Sequence, residues 1–349
     1  MIYSVKRMSN PLFPALSFNG GRLCLLLVVF ISKPAWTQSV TFQDVTANSG
    51  VDFVHTTGGS GMGYLVEGVS AGIATFDYDN DGWIDIYFLN GALLQGTESE
   101  DEPTNRLYRN NGDFTFSDVT AQAGVGDKGY ALGVATADYD GDGYTDIYIN
   151  NFGPNVLLRN RGDNTFEDVT ETAGVAAGAQ VGAGVAFLDI EGDGDLDLYV
   201  ANYVDFSYET HVPIEIKGMV HTAGPQYYTP LPDNLFRNNG DGTFTDVSHE
   251  SAIASVAGPS MGLVCADFDN DGDTDVYVCN DGKPNFLFVN DGQGKFEEVA
   301  VLSGLAYSFK GTADASMGVD IGDYDADGFF DLFSTNYQSE MPNLYHISV

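Results

Sequence analysis

The chain has 349 residues, of which 43% are hydrophobic and 13% aromatic. That content is enough to form a buried core and excludes a disordered acidic tail. The formal net charge is −36 at pH 7, with only 14 lysines and arginines. Such an acidic surface repels polyanions, so we expect neither nucleic acid nor anionic membrane surfaces as partners.

The N-terminus has the pattern of an export signal. Lys6, Arg7 and Arg22 precede an apolar run at residues 23–31, and small and polar residues follow up to Gln38. This pattern predicts a secretory signal peptide at residues 1–38, leaving residues 39–349 as the mature domain. The apolar run is short of the roughly 20 residues that cross a bilayer, so we predict no transmembrane span. The predicted location is secreted or at the cell surface, or periplasmic in a Gram-negative host.

A stretch rich in aspartate recurs along the mature chain. DYDNDGWIDIYFLNG begins at Asp77, and related stretches begin at Asp138, Asp189, Asp267 and Asp323. Four copies are followed by an apolar run, an Asn/Gly/Asp turn and an alternating segment, as in NRLYRNNGDFTFSDVT from residue 105. This second half is typical of a β-hairpin. With a short strand upstream of the aspartates, for example residues 132–137, each repeat predicts four antiparallel strands.

Four-stranded sheets repeated in tandem predict an all-β fold, the β-propeller, in which each sheet is a blade. Residues 39–46 (SVTFQDVT) read as a fourth strand without three before it. Residues 343–349 read as a third strand without a fourth. Two arrangements fit these five repeats. Either the two termini share a blade and close a five-bladed ring, or the chain is part of a longer propeller.

The aspartates follow the pattern D-x-D-x-D-G-x-x-D. Oxygens at positions 1, 3, 5 and 9, with the backbone carbonyl of position 7, suit Ca²⁺, and the glycine at position 6 permits the sharp turn. The loops contain no histidine or cysteine, which argues against zinc and copper. An EF-hand would need Glu at position 12 and flanking helices, whereas position 12 here lies in strand-like sequence. Solvated acidic turns are the alternative interpretation.

We therefore predict up to five calcium ions, one in each loop. The predicted ligands are the side chains of Asp77, Asp79, Asp81 and Asp85; Asp138, Asp140, Asp142 and Asp146; Asp189, Glu191, Asp193 and Asp197; Asp267, Asp269, Asp271 and Asp275; Asp323, Asp325, Asp327 and Asp331; and the carbonyls of Trp83, Tyr144, Asp195, Asp273 and Phe329. Glu191 departs from the pattern, and its extra methylene is expected to reshape the third site.

The ordered set GVSAGIATFDYDNDGWIDIYFLNG, PDNLFRNNGDGTFTDVS and the repeated F-x-D-V-T strands resembles the FG-GAP or VCBS repeat family. That family includes the seven-bladed propeller head of integrin α chains. The motifs are more narrowly similar to the secreted cartilage acidic protein group and its bacterial relatives. The resemblance implies a calcium-bearing propeller, export, and a role in binding rather than catalysis. It also makes part of a seven-bladed propeller the specific alternative to a closed five-bladed ring.

Two cysteines of the mature chain, Cys265 and Cys279, flank the fourth loop. In an oxidising compartment they would form a cross-strand disulfide, and two buried thiols are the alternative. An insertion at residues 203–232 concentrates aromatic residues, which suits either a recognition loop or a loop that packs on its own blade.

These features predict an extracellular binding or adhesion module for a protein or glycan. The five histidines lack metal-ligand spacing, and no nucleophile elbow or phosphate-binding loop occurs. We therefore expect no enzymatic activity. The alternative is a carbohydrate-active propeller enzyme, a glycosidase or polysaccharide lyase, using carboxylates such as Glu67 or Glu215.

Overall fold

The computed structural model describes residues 42–69, 71–97, 102–178 and 180–347. The chain divides into two compact units, Met1–Gln43 and Asp44–Val349. The predicted signal peptide lies outside the described residues, and the account below concerns the second unit. None of its described helices is long and apolar enough to span a membrane.

The second unit contains five successive antiparallel blades, here called blades 1 to 5. Blades 2 and 3 are joined into one eight-stranded sheet by the pairing of Phe152 with Val181 and of Gly153 with Gln180. Blade 1 contains β1 (Ile73–Phe76), β2 (Asp85–Phe88), β3 (Arg106–Asn110) and β4 (Phe116–Asp118). Blade 2 contains β5 (Tyr130–Ala137), β6 (Asp146–Gly153), β7 (Val156–Asn160) and β8 (Phe166–Asp168). In chain order there follow β9 (Gln180–Leu188), β10 (Asp197–Asn202), β11 (Ile214–Ile216), β12 (Met219–His221), β13 (Asn234–Asn238) and β14 (Phe244–Asp246). Blade 3 is formed by β9, β10, β13 and β14, while β11 and β12 form a separate hairpin.

Blade 4 contains β15 (Ser260–Ala266), β16 (Asp275–Asn280), β17 (Phe286–Asn290) and β18 (Phe296–Glu298). Blade 5 has three strands in the described chain, β19 (Ser316–Gly322), β20 (Asp331–Asn336) and β21 (Asn343–Tyr345). The predicted all-β blade architecture is therefore confirmed. One-turn helices α1 (Thr120–Ala123), α2 (Thr170–Ala173) and α3 (Ala300–Ser303) follow the fourth strands of blades 1, 2 and 4.

The core lies between consecutive blades. Successive side chains of a strand point to opposite faces, so a blade packed on both sides is apolar on both. In β6, Ile147 and Ile149 pack against Tyr87 of blade 1. Tyr148, between them, packs against Leu198 of blade 3. This explains why the second strands read as continuous apolar runs rather than as alternating ones.

The first strands of the blades, β1, β5, β9, β15 and β19, are neighbours in that order. A glycine lies five residues before the first aspartate of every loop. Gly133, Gly184, Gly262 and Gly318 lie within these strands, and Gly72 directly precedes β1. A β-carbon at Gly262 would lie 2.6 Å from the carbonyl oxygen of Met317 in β19. The glycine is thus needed where the next blade approaches closely.

One predicted arrangement closes the ring with a blade that is shared by the two termini. The described residues form no such blade. Of the residues predicted to form the N-terminal strand, residues 39–41 lie outside the described residues, and residues 44–45 of the second unit belong to no strand. Ile73 in β1 is 56% exposed, whereas its counterparts in the other first strands are half-buried. A β-carbon at Gly318 would contact only Oγ1 of Thr335, at 3.3 Å.

Blade 5 also leaves a cleft beside blade 4. The ring of Phe166, at the start of β8, stacks on Tyr78 of blade 1, and the ring of Phe244, at the start of β14, packs at a tilt on Tyr139 of blade 2. Phe268 is the equivalent of Tyr78 in blade 4, and it lines an open cleft of about 1180 Å³. The cleft lies where a fourth strand of blade 5 would place its phenylalanine.

The insertion at residues 203–232 packs on the rest of the unit. Tyr203 and Phe206 are buried together with Tyr64, Leu65 and Tyr130. Tyr203 and Phe206 thus contribute to packing between distant segments of the unit, and a recognition role for the insertion stays a prediction. The tip of the β11–β12 hairpin exposes three apolar side chains, those of Ile216, Met219 and Val220.

The disulfide that the sequence left open as one alternative for the cysteine pair is not formed. Cys265 and Cys279 are both free thiols. Cys265 in β15 contacts the core between blades 3 and 4, whereas Cys279 in β16 is buried in the core between blades 4 and 5. The two side chains point to opposite faces of one sheet, so no disulfide joins them.

Candidate metal centres

Each acidic loop is the turn between the first and second strands of its blade. In blade 1, Phe76 pairs with Asp85, so positions 1 to 9 of the loop span the hairpin turn. The same pairing joins Ala137 to Asp146 in blade 2 and Ala266 to Asp275 in blade 4. The sequence prediction that these loops are hairpin turns is confirmed.

Backbone amides hold the aspartates at positions 1 and 5. The Asp77 carboxylate accepts hydrogen bonds from the amides of Asp81, at 3.1 Å, and Gly82, at 2.8 Å. The Asp81 carboxylate accepts one from the amide of Trp83 at 2.9 Å. Gly82 has a φ of 90°, which glycine adopts readily. The same pattern recurs in the other four loops.

The aspartate at position 9 of each loop is buried. Both oxygens of Asp85 accept backbone hydrogen bonds, from the amide of Tyr78 at 3.0 Å and from that of Asn110 at 2.7 Å. Burial raises the pKa of Asp85 to about 6 despite these bonds. Burial likewise raises the pKa values of Asp146 and Asp197 to about 7 and that of Asp275 to about 6. A buried carboxylate of this kind favours a nearby cation.

The aspartate at position 3 of the first loop provides the strongest evidence that these residues suit a cation. The side chain of Asp79 is 5% exposed, and its Oδ1 is buried without a hydrogen-bond partner. Burial and the charge of Asp81 both raise the pKa of Asp79. A hard divalent cation would neutralise these charges and bind the unpartnered Oδ1 of Asp79. The residues present therefore fit calcium.

The carboxylates converge in four of the five loops. Ligand oxygens lie within 4.8 Å of one another in the sets Asp77, Asp79 and Asp85; Asp138, Asp140 and Asp146; Asp267, Asp269 and Asp271; and Asp323, Asp325 and Asp327. The third loop forms no such set among the described residues. There the longer Glu191 side chain lies 3.7 Å from the Arg237 guanidinium. That Glu191 reshapes the third site stays a prediction.

Sequence reasoning missed His346, which lies beside the fifth loop. Its Nδ1 lies 3.0 Å from Oδ1 of Asp331 and 3.7 Å from Asp325. Burial acts to raise the pKa of Asp331, but hydrogen bonds from His346 and two backbone amides outweigh it and hold the pKa below its usual range. The sequence did contain a signal for this residue. His346 directly follows Tyr345 and aligns with the arginine that lies at the equivalent position in blades 1 to 3.

The two glutamates considered for catalysis have different surroundings. Glu67 accepts hydrogen bonds from the amide of Ser60 and from that of Tyr64, at 2.8 and 2.7 Å, and so holds the local turn. Glu215 lies in the exposed hairpin strand β11.

Tandem antiparallel blades with an acidic loop in each first hairpin define a repeat propeller. The model for the FG-GAP-like repeat matches residues 77–149, 138–200, 228–278 and 267–334, which is more than half of the chain. The chain belongs to the FG-GAP-like repeat family.

Among characterised proteins, cartilage acidic protein 1 is similar to this chain. The Xenopus tropicalis protein is 26% identical over 251 residues, covering 67% of this chain and 35% of the relative. The human protein is 28% identical over 283 residues, covering 66% and 42%. The chain thus spans well under half the length of these relatives.

Two solved structures show a distant likeness. An Agrocybe aegerita lectin that recognises non-reducing terminal N-acetylglucosamine aligns with 76% of this chain and 61% of its own, at 20% identity and a TM-score of 0.43. A Bacillus licheniformis rhamnogalacturonan lyase aligns with 76% and 46%, at 14% identity and a TM-score of 0.41.

Proposed function

We propose that this protein is an exported, calcium-stabilised propeller module that binds an extracellular protein or glycan and is not an enzyme. The observation that carries the calcium assignment is the buried, unpartnered Oδ1 of Asp79 within a loop that occurs five times. The bound ions would neutralise the clustered carboxylates and hold the hairpins in place. Calcium binding would then contribute directly to the free energy of folding.

Export is supported by the signal pattern at residues 1–38. The concentration of calcium outside cells is high enough to fill sites of moderate affinity. Constant occupancy makes the ions structural rather than regulatory, which suits a rigid binding scaffold.

A binding role is supported by the surface near the insertion. The β11–β12 hairpin exposes a small apolar tip. Beside it, a cavity of about 330 Å³ is lined by Tyr203, Gln226, Asp281 and Tyr337 among others. Aromatic rings combined with a carboxylate and an amide are suited to one sugar ring, which supports a glycan as ligand.

The test measures bound metal and thermal unfolding of the purified chain with calcium, with magnesium and with chelator. We expect several calcium ions per chain and a calcium-specific rise in melting temperature. Loops without bound calcium would overturn the metal assignment. Binding to glycan and protein arrays, with and without calcium, tests the second half of the proposal. Turnover of a polysaccharide by the same preparation would favour a lyase or glycosidase instead.

A further inference from the structure

One residue of the third strand occupies the same place beside every acidic loop. In blade 1 it directly follows Tyr108, which pairs with Ile86 of the second strand. In blade 4 it directly follows Phe288, which pairs with Val276. In blades 1 to 4 these residues are Arg109, Arg159, Arg237 and Val289, and the equivalent residue of blade 5, His346, directly follows β21.

The three arginines each face the position-3 carboxylate of their own loop. The guanidinium of Arg109 lies 3.9 Å from Asp79, and that of Arg159 lies 4.0 Å from Asp140. In blade 3, Arg237 lies 3.7 Å from Glu191. These separations allow electrostatic attraction but are too long for direct hydrogen bonds. The arginine side chains are about 40% exposed, whereas Asp79 is almost fully buried.

Blade 4 lacks this positive charge. Val289 is half-buried and packs against the core between blades 4 and 5. The fourth loop contains aspartate at every odd position from Asp267 to Asp275. Within the described chain, no ion pair involves any of these aspartates.

We propose that this third-strand residue sets how strongly each loop depends on calcium, with arginine acting as a built-in counter-charge in blades 1 to 3. This inference rests on the proposed binding of calcium by the loops. Without calcium, the guanidinium offsets part of the repulsion among the carboxylates. With calcium bound, the same guanidinium repels the dication and lowers its affinity. The fourth loop therefore binds calcium most tightly and loses most stability when calcium is removed.

Loop 1 permits a direct test because Trp83 is its position-7 residue. Tb³⁺ is a calcium-sized ion whose luminescence is sensitised by a nearby indole, so excitation of tryptophan reports on this loop. Trp83 is the one tryptophan within the described residues. The probe is Tb³⁺ alone, titrated into the full chain and then displaced by calcium.

In this assay Arg109→Gln should tighten the binding of Tb³⁺ and Ca²⁺ to loop 1 by about tenfold, as expected for removing one charge near a multivalent cation. It should also lower the melting temperature in chelator more than in calcium. The matched control is Arg106→Gln, on the same strand, because Arg106 pairs with Asp118 at 3.0 Å and not with the loop. The control should leave the affinity of loop 1 unchanged within about twofold.

Val289→Arg provides the reciprocal test. It should weaken the tightest calcium site by about tenfold and reduce the difference in melting temperature between calcium and chelator. If wild-type protein binds neither ion, the proposed calcium function fails. If wild-type protein binds both ions but Arg109→Gln and Val289→Arg leave the affinities unchanged, the counter-charge inference alone is wrong.

Discussion

The side-chain amide of Asn238 donates a 2.9 Å hydrogen bond to the backbone carbonyl of Tyr139, 99 residues earlier in the chain. The backbone amide of Asn238 donates to Asp197, the position-9 aspartate of its own loop, at 2.8 Å. One residue therefore links the acidic loops of blades 2 and 3. Asn160 and Asn290 make the equivalent links between blades 1 and 2 and between blades 3 and 4.

Removing this link should destabilise the protein. Asn238→Ala leaves the buried carbonyl of Tyr139 without its donor, which typically costs about 1–3 kcal/mol. Urea unfolding in saturating calcium measures the loss. Asn239→Ala is the matched control, since Asn239 lies in the same turn and is exposed. Equal effects of the two substitutions would contradict a role for Asn238 in joining blades.

The glycines at the equivalent position of consecutive blades allow a test of how closely the blades pack. Gly262→Ala should lower the free energy of unfolding by about 1–3 kcal/mol because the methyl group would collide with the carbonyl of Met317. Gly318→Ala, at the same position of blade 5, should change the free energy by less than about 1 kcal/mol. Thermal and urea unfolding of both variants provide the comparison. A cost at Gly318 equal to that at Gly262 would indicate that a further blade covers β19, as in a closed ring.

The buried aspartate at position 9 of a loop should be necessary for calcium binding by that loop. Asp146→Asn keeps the size of the side chain but removes the charge and one acceptor oxygen. We expect one fewer bound calcium and a lower melting temperature in calcium, measured by metal analysis and calorimetry. Asp163→Asn, in the exposed turn of the following hairpin, is the control and should retain every ion. Full calcium occupancy in Asp146→Asn would remove Asp146 from the ligand set.

Asp233 gives a pH dependence that is separate from the loops. It accepts hydrogen bonds from the Tyr199 hydroxyl at 2.8 Å, the Asn202 amide at 2.8 Å and the Ser260 hydroxyl at 3.0 Å. Burial raises its pKa to about 7. The native state keeps the Asp233 carboxyl group protonated up to about pH 7, whereas the unfolded state releases that proton near pH 4. The contribution of this protonation to the free energy of unfolding is therefore fully present below pH 4 and is lost as the pH rises to 7.

Asp233→Asn removes that titration. In saturating calcium, the free energy of unfolding of the wild type should fall more steeply between about pH 4.5 and 7 than that of the variant, by up to about 1.4 kcal/mol per pH unit. Urea unfolding at several pH values measures both slopes. Identical slopes would show that Asp233 does not retain its proton in the native state.

The sequence by itself determined the repeat, the order of strands within each blade and the nine-residue loops with their candidate ligands. These features are local, because a hairpin turn and the residues that form it are adjacent in the chain. The backbone hydrogen bonds around Asp77 and Asp81 follow from the same short segment.

Only the tertiary structure decided which residues from distant segments meet. It placed Asn238 against Tyr139, Arg109 against Asp79, and His346 against Asp331. It also placed Cys265 and Cys279 on opposite faces of one sheet, which spacing along the chain did not reveal. The physical reason is that these contacts depend on strand register and on the packing of one blade against another. Side chains far apart in sequence form them, and no local pattern specifies which side chains those will be.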